Sequence, residues 1–325
     1  MSHDFNLEDD LYLEDDFALE DDFNPQDEFK KFVAEYKIND IYHLLKAKVI
    51  GQDDELMKAS ALIYAYMKSI SLCEDAKKFH FMIEGSSGCG KTTFAKALKE
   101  ILPIPVIIVD ASQITQAGFR GVDIADIMNN EELARYWYSG IVICDEIDKM
   151  MYTYHEGKNL GKAVQENFLK ALDGDTVIDR DGKEFFCGRI LFIGMGAFSD
   201  LRKKPEQKRD IGFTPSYNYN DDEAEEVSIT RDMITKYGES EQFMGRFVTV
   251  LHFKRLNMDG YRQIAWNAFD EVRSIYGRKA CITISEKQMD KIIYDSIDSQ
   301  YGCRNIRNAV LEYVLENYIY EIMSA

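Results

Sequence analysis

Apolar side chains at Leu56, Ala59, Ile63 and Tyr66 recur every three or four residues, a spacing that predicts one buried face of a helix. Downstream the period changes. Four short runs rich in β-branched and aromatic residues, 79–83, 106–109, 141–144 and 190–193, alternate with helical stretches, and each is bounded by turn or helix signals. That alternation predicts an α/β fold, a parallel sheet with helices on both faces. Ahead of the fourth run, Asp181-Gly182 separates Thr-Val-Ile-Asp from Glu-Phe-Phe, the signature of a small inserted hairpin. After Phe253 the pattern is mostly helical. Met289, Ile292, Ile293 and Ile297 share one face, and Ile306, Ala309, Val310, Tyr313 and Val314 share another. A large α/β domain over 29–253 followed by a small helical domain over 254–325 is therefore expected.

The beginning of the chain has a different character. Residues 5–28 repeat a six-residue unit, FNLEDD, LYLEDD, FALEDD and a degraded FNPQDE, and the first 28 residues hold twelve acidic side chains with no Lys or Arg. Such a segment repels itself and has too little apolar surface to offset the entropy of folding, so residues 1–28 are expected to be a disordered tail. It reads either as a solubilising extension or as short linear motifs that dock on an unknown partner. The net charge of −18 is concentrated there, leaving a mildly acidic body without a sustained basic stripe, which disfavours nucleic-acid binding. A content of 46% hydrophobic residues in 325 supports a substantial core. No run approaches the roughly 18 uninterrupted apolar residues of a membrane span, and the acidic start is unlike a secretory signal, so a cytoplasmic protein without membrane attachment is expected. The six cysteines are scattered, with no metal-ligand spacing, and read as ordinary reduced residues.

The chemistry begins after the first strand run. Gly85-Ser86-Ser87-Gly88-Cys89-Gly90-Lys91-Thr92 matches G-x-x-x-x-G-K-[ST] in full, with a strand before it and a helix after it. In such a loop the glycines let successive backbone N–H groups turn inward around phosphate oxygens, and the helix directs its positive end at the anion. Lys91 adds charge at the β and γ phosphates and Thr92 offers a hydroxyl to Mg²⁺. Ser87, Gly88, Cys89, Gly90, Lys91, Thr92 and Thr93 are the expected nucleotide contacts. Some fifty residues on, the apolar run 141–144 ends in Asp145-Glu146. The first carboxylate is placed to hold Mg²⁺ and the second to accept a proton from water attacking the γ-phosphate. Together the two motifs predict hydrolysis of a nucleotide and not binding alone.

The series as a whole resembles the ClpX-type branch of the AAA+ ATPases, from about residue 40 to the C-terminus. Val49-Ile50-Gly51-Gln52 is similar to the start of that family's ATPase module, whose Val-Ile pair lines the adenine pocket. Gly140 to Lys149 is close to its second acidic motif, and Leu191-Phe192-Ile193 through Gly196-Ala197-Phe198 to the strand and turn that follow. The resemblance implies an AAA+ module, a P-loop parallel sheet flanked by helices with a small helical domain. Gln242-Phe243-Met244-Gly245-Arg246 resembles the segment carrying an arginine finger, which reaches the nucleotide of the neighbouring subunit and so implies a ring, expected to be hexameric. Gly302-Cys303-Arg304 resembles the small-domain motif whose arginine senses nucleotide in its own subunit. Taken alone, either arginine reads as a surface ion pair.

Two loops carry the implied substrate chemistry. Ala117-Gly118-Phe119-Arg120-Gly121 falls where the family carries its pore loop, so Phe119 is the expected grip on polypeptide substrates; Arg120 departs from the aliphatic residue usual there and biases the pore toward acidic substrates or toward a nucleic acid. The other reading is an exposed turn with Phe119 in the core. Asp210-Ile211-Gly212-Phe213-Thr214 matches the place where family members carry a tripeptide that docks on a ClpP-type peptidase, which assigns Ile211, Gly212 and Phe213 to that contact. The family's zinc-binding N-terminal domain of four cysteines has no counterpart here, the insertion before the fourth strand lacks its basic loop, and no Asn on 190–197 serves as a polar sensor. The resulting expectation is an ATP-dependent unfoldase feeding a peptidase. A stand-alone remodelling chaperone, a nucleic-acid-linked motor and a nucleotide-locked scaffold are the alternatives. If the acidic repeats are docking motifs, deleting residues 1–28 changes partner binding or ATPase rate; a variant unchanged in both assays leaves them as a solubilising tail.

Overall fold

The computed structural model of the chain describes residues 23–73, 79–114, 123–151, 154–155, 158–202, 229–238, 240–276, 282–297 and 303–324. Five strands, β1 (Phe81–Glu84), β2 (Val106–Asp110), β3 (Gly140–Asp145), β4 (Ile190–Gly196) and β5 (Thr249–His252), form one parallel sheet in the order β2-β3-β4-β1-β5. The first four correspond to the runs read in the sequence. The fifth is a short segment of mixed polarity that gains strand structure by pairing with β1, Phe81 opposite Thr249 and Glu84 opposite His252.

Successive strand residues face opposite sides of a sheet, and the two cores divide accordingly. Phe81, Ile83, Ile141, Ile143, Leu191, Ile193 and Leu251 pack with the helices α1 (Pro25–Glu35), α2 (Ile38–Lys46), α3 (Asp53–Ser71) and α4 (Lys91–Ile101). Met82, Val142, Cys144, Ile190, Phe192 and Val250 face the other way, onto a layer that includes the helix Leu160–Leu172. Because both faces are covered, β1, β3 and β4 read as nearly continuous apolar runs without alternation. Leu56, Ala59, Ile63 and Tyr66, spaced three or four residues apart, are all fully buried on α3. The Tyr66 hydroxyl donates to Gly140 O at 2.8 Å, tying α3 to the start of β3. The inserted hairpin pairs Thr176–Ile178 with Glu184–Phe186, its turn closed by Asp179 N to Lys183 O.

The expected tail ends earlier than residue 28. Its degraded fourth unit is the start of α1: Asn24 accepts from Gln26 N at 3.0 Å as the N-cap, Pro25 opens the first turn, and Phe23 lies edge-on to Tyr136. Gln26 is buried, donating to Ile70 O and accepting from Arg189. In this unit Pro25 and Gln26 replace the Leu-Glu of the intact repeats and are buried, as are Phe29 and Phe32 further along α1. The three intact repeats lie outside the described residues.

Beyond β5 the helices Met258–Tyr276, Glu286–Ser296 and Arg304–Ser324 enclose a third core that includes Ala265, Phe269, Met289, Ile293, Ile306, Val310 and Val314. Ile292, Ile297 and Tyr313 are only partly buried at its edge. Among the described residues no helix is long and apolar enough to cross a membrane.

His80, just before β1, joins the sheet to the helix beneath it. Its Nδ1 must accept from the Phe192 N–H, 3.2 Å away, so Nε2 carries the proton and donates to Leu172 O at 3.1 Å. Both ring nitrogens are then occupied in the neutral form, and burial lowers the pKa to about 4 from 6.5. Unfolded chains bind this proton more readily, so stability rises with pH across that window. The folding free energy is expected to fall by on the order of 3 kcal/mol as pH drops from 6.5 to 4. Urea midpoints across that range should decline less steeply in His80→Gln than in the wild type.

Candidate active site

The loop 85–90 leaves the C-terminal end of β1, which lies between β4 and β5, and runs directly into α4. Its conformation requires glycine at two points. A Cβ on Gly85 would sit 2.4 Å from Phe253 O and 2.7 Å from the Cys89 sulfur, and Gly90, the N-cap of α4, has φ of +105°. The loop therefore wraps tightly and presents the start of an 11-residue helix, whose unpaired N–H groups and dipole favour an anion. Lys91 Nζ is folded back on the loop's own carbonyls, 2.5 Å from Gly85 O and 3.1 Å from Ser86 O. These are the bonds that a phosphate oxygen would replace.

β3, separated from β1 by β4, completes the site, because the parallel arrangement brings the C-terminal ends of the strands to one edge of the sheet. Thr92 Oγ1 on α4 lies 3.4 Å from Asp145 Oδ2 at the end of β3. Asp145 Oδ1 accepts from the Glu146 backbone N–H at 2.9 Å. Glu146 itself has φ of +57°, an uncommon left-handed conformation for a residue with a side chain, and it swings the carboxylate into the cavity, where Lys149 pairs with it at 2.5 Å. A cavity of 630 Å³ opens over these groups. Val49, Ile50, residues 87–93, Asp145, Glu146 and Arg304 all line it. Apolar Leu256, Ile264 and Ala268 from the C-terminal helical part stand at the same cavity as Val49 and Ile50, a suitable wall for a purine.

Several residues at the cavity had no role assigned from sequence. The Asp148 carboxylate accepts from the Phe198 N–H at 3.0 Å and fills the space beside Gly196, where a Cβ would come within 3.0 Å of Oδ1. It lines the cavity, and burial raises its pKa. Cys303 donates to Gly88 O at 2.9 Å, joining the helical part to the phosphate loop. Beneath the loop, the buried Glu84 carboxylate at the end of β1 is bound by Arg202 and, at 2.8 Å, by His252 Nδ1. No sequence motif marks Glu84 or its partners, which meet only once the sheet has formed.

The two arginines separate. Arg304 faces the cavity and has no carboxylate partner among the described residues. Arg246 is not at the cavity; it forms a two-point ion pair with Asp173, Nε to Oδ1 and Nη2 to Oδ2, each 2.8 Å. Phe119, Arg120, Ile211, Gly212 and Phe213 lie outside the described residues.

A glycine-rich phosphate loop at the end of β1 and an acid pair at the end of β3, the next strand but one, define a P-loop nucleotide hydrolase. A family model for the AAA domain (Cdc48 subfamily) matches residues 76–250. Among curated proteins, the chain is similar to the "ATP-dependent Clp protease ATP-binding subunit ClpX 2" of Wolinella succinogenes, 28% identical over 89% of this chain and 78% of the relative. The ClpX subunits of Porphyromonas gingivalis and Bacteroides thetaiotaomicron are 26% and 27% identical, over 83% and 88% of this chain and 74% and 77% of theirs. The chain belongs to the AAA family and is a ClpX-type AAA+ ATPase. Replacing the carboxylate that Glu146 places over the cavity should separate chemistry from binding. Glu146→Gln is expected to slow steady-state ATP turnover by about 10²- to 10⁴-fold while nucleotide affinity, measured with a fluorescent analogue, stays near wild type.

Proposed function

We propose that the protein is a cytoplasmic ring-forming unfoldase and translocase that couples ATP hydrolysis to the movement of polypeptide into a ClpP-type peptidase. The supporting observation is the position of the cavity, which takes its phosphate-binding wall from the α/β sheet and part of its opposite wall from the C-terminal helical unit, through Leu256, Ala268, Cys303 and Arg304. A nucleotide held in this junction contacts both units, so the change from triphosphate to diphosphate alters the forces between them. The curated relatives are named as the ATP-binding subunits of a Clp protease, which favours a peptidase partner over a stand-alone remodelling role.

In this reading Val49 and Ile50 receive adenine, and the backbone of residues 87–90 with Lys91 holds the phosphates. Thr92 and Asp145 present two oxygen donors to one point, a set suited to Mg²⁺. That ion, when bound, neutralises charge on the β and γ phosphate oxygens. Glu146 accepts the proton of the attacking water, which requires its exchange from Lys149. Arg304 senses the nucleotide from its own subunit, and Arg246 serves the site of the adjacent subunit in a hexamer. Phe119 grips substrate in the pore, Arg120 tunes which sequences pass, and Ile211-Gly212-Phe213 docks on the peptidase. Phe213→Ala is expected to abolish ATP-dependent degradation of a folded reporter by added ClpP-type peptidase while ATP turnover persists. Full degradation by this variant would remove the docking assignment.

A further inference from the structure

Arg246 and Asp173 are held to each other across 73 residues of sequence, and each is mounted on packed backbone. Asp173 follows the helix Leu160–Leu172, whose last residue is buried and accepts from His80, and its own N–H donates to Leu169 O at 2.8 Å. Arg246 follows the helix Glu241–Gly245, where Phe243 is buried against Phe168 with ring centroids 5.9 Å apart. The side chains themselves reach the surface, with 33% and 42% exposure for Arg246 and Asp173. A guanidinium has five N–H donors. Asp173 takes one on Nε and one on Nη2, and Gln242 O takes one on Nη1 at 3.1 Å. One donor on each terminal nitrogen is left for an incoming oxygen.

We infer that Asp173 is a positioning residue for Arg246, gripping one edge of the guanidinium so that its remaining donors meet the nucleotide phosphates of the neighbouring subunit. The inference rests on the reading of Arg246 as a trans-acting finger. An exposed pair of this kind contributes little to stability. Its effect is on geometry, because a long side chain with many rotamers delivers charge efficiently only when its plane is already set. Asp173 does not touch the nucleotide of its own subunit, since it lies outside the cavity wall.

Steady-state ATPase of the full chain tests this in a double-mutant cycle with Arg246→Ala. Asp173→Asn is expected to lower kcat roughly tenfold with KM within about twofold, Asp173→Glu to recover part of the loss, and Asp173→Asn added to Arg246→Ala to cost nothing more. The finger variant itself should lose about 10³-fold or more. If Asp173→Asn leaves kcat unchanged or raises it while Arg246→Ala is inactive, Asp173 is not a positioning residue and the finger reading survives. A full additional loss in the double variant, or dispersal of the assembly by Asp173→Asn on gel filtration, likewise overturns the inference. Wild-type turnover by Arg246→Ala overturns the finger reading and Asp173's role with it.

Discussion

The structure depends on holding a charged, tightly wound loop at the end of a strand that is buried on both faces. β1 is flanked by β4 and β5, and Gly85 follows it at once, so any tilt of this strand displaces every N–H that points at phosphate. Its last residue, Glu84, carries a carboxylate with only 3% exposure. Such a group is tolerated because both oxygens are bound, one by Arg202 from beyond β4 and one by His252 on β5. Burial keeps the His252 pKa below its ordinary value, in keeping with a neutral ring donating from Nδ1. The three strands that frame the loop are thus joined at their C-terminal edge by a polar cluster, in addition to backbone pairing. Removing Arg202 would leave a buried carboxylate without a countercharge directly under the phosphate loop.

Around that frame the active-site groups are held by bonds that can be exchanged. Lys91 is satisfied by loop carbonyls, Glu146 by Lys149, and Asp145 by the Glu146 N–H and the Thr92 hydroxyl. Each group lines the same cavity and each is held by a partner that an incoming oxygen could replace. The Cys303 bond to Gly88 O belongs to the same class: it joins the helical unit to the loop through one weak donor, a contact that a nucleotide in the cavity would reinforce or displace.

Legibility in the sequence follows the distance over which a contact acts. That Lys91, Thr92, Asp145 and Glu146 meet at one cavity could be read because each has a fixed offset from the end of an apolar strand, and the phosphate-loop pattern is contained in eight consecutive residues. Asp148 stood within the quoted acidic motif, but its role required knowing that the turn after β4, 50 residues away, would come to rest against it. Glu84 to Arg202 spans 118 positions, Cys303 to Gly88 spans 215, and Gln26 to Arg189 spans 163. The tail boundary was misplaced for a related reason, since composition counts Asp27 and Glu28 as acid but cannot see that Phe29 and Phe32 behind them are buried.

By itself the sequence determined the periodicities, and with them the α/β class, the helical C-terminal part, the position of the phosphate loop and the paired carboxylates of a hydrolase. These are local properties, set by steric preferences of a few neighbouring residues and by which faces must leave water. Only the tertiary structure decided which arginine faces the cavity and which is held by Asp173, which backbone N–H the Asp148 carboxylate holds, and how the buried charge beneath the loop is neutralised. Those choices depend on the parallel register of five strands, and register is settled by packing both faces of the sheet at once, a condition that no short stretch of the chain contains.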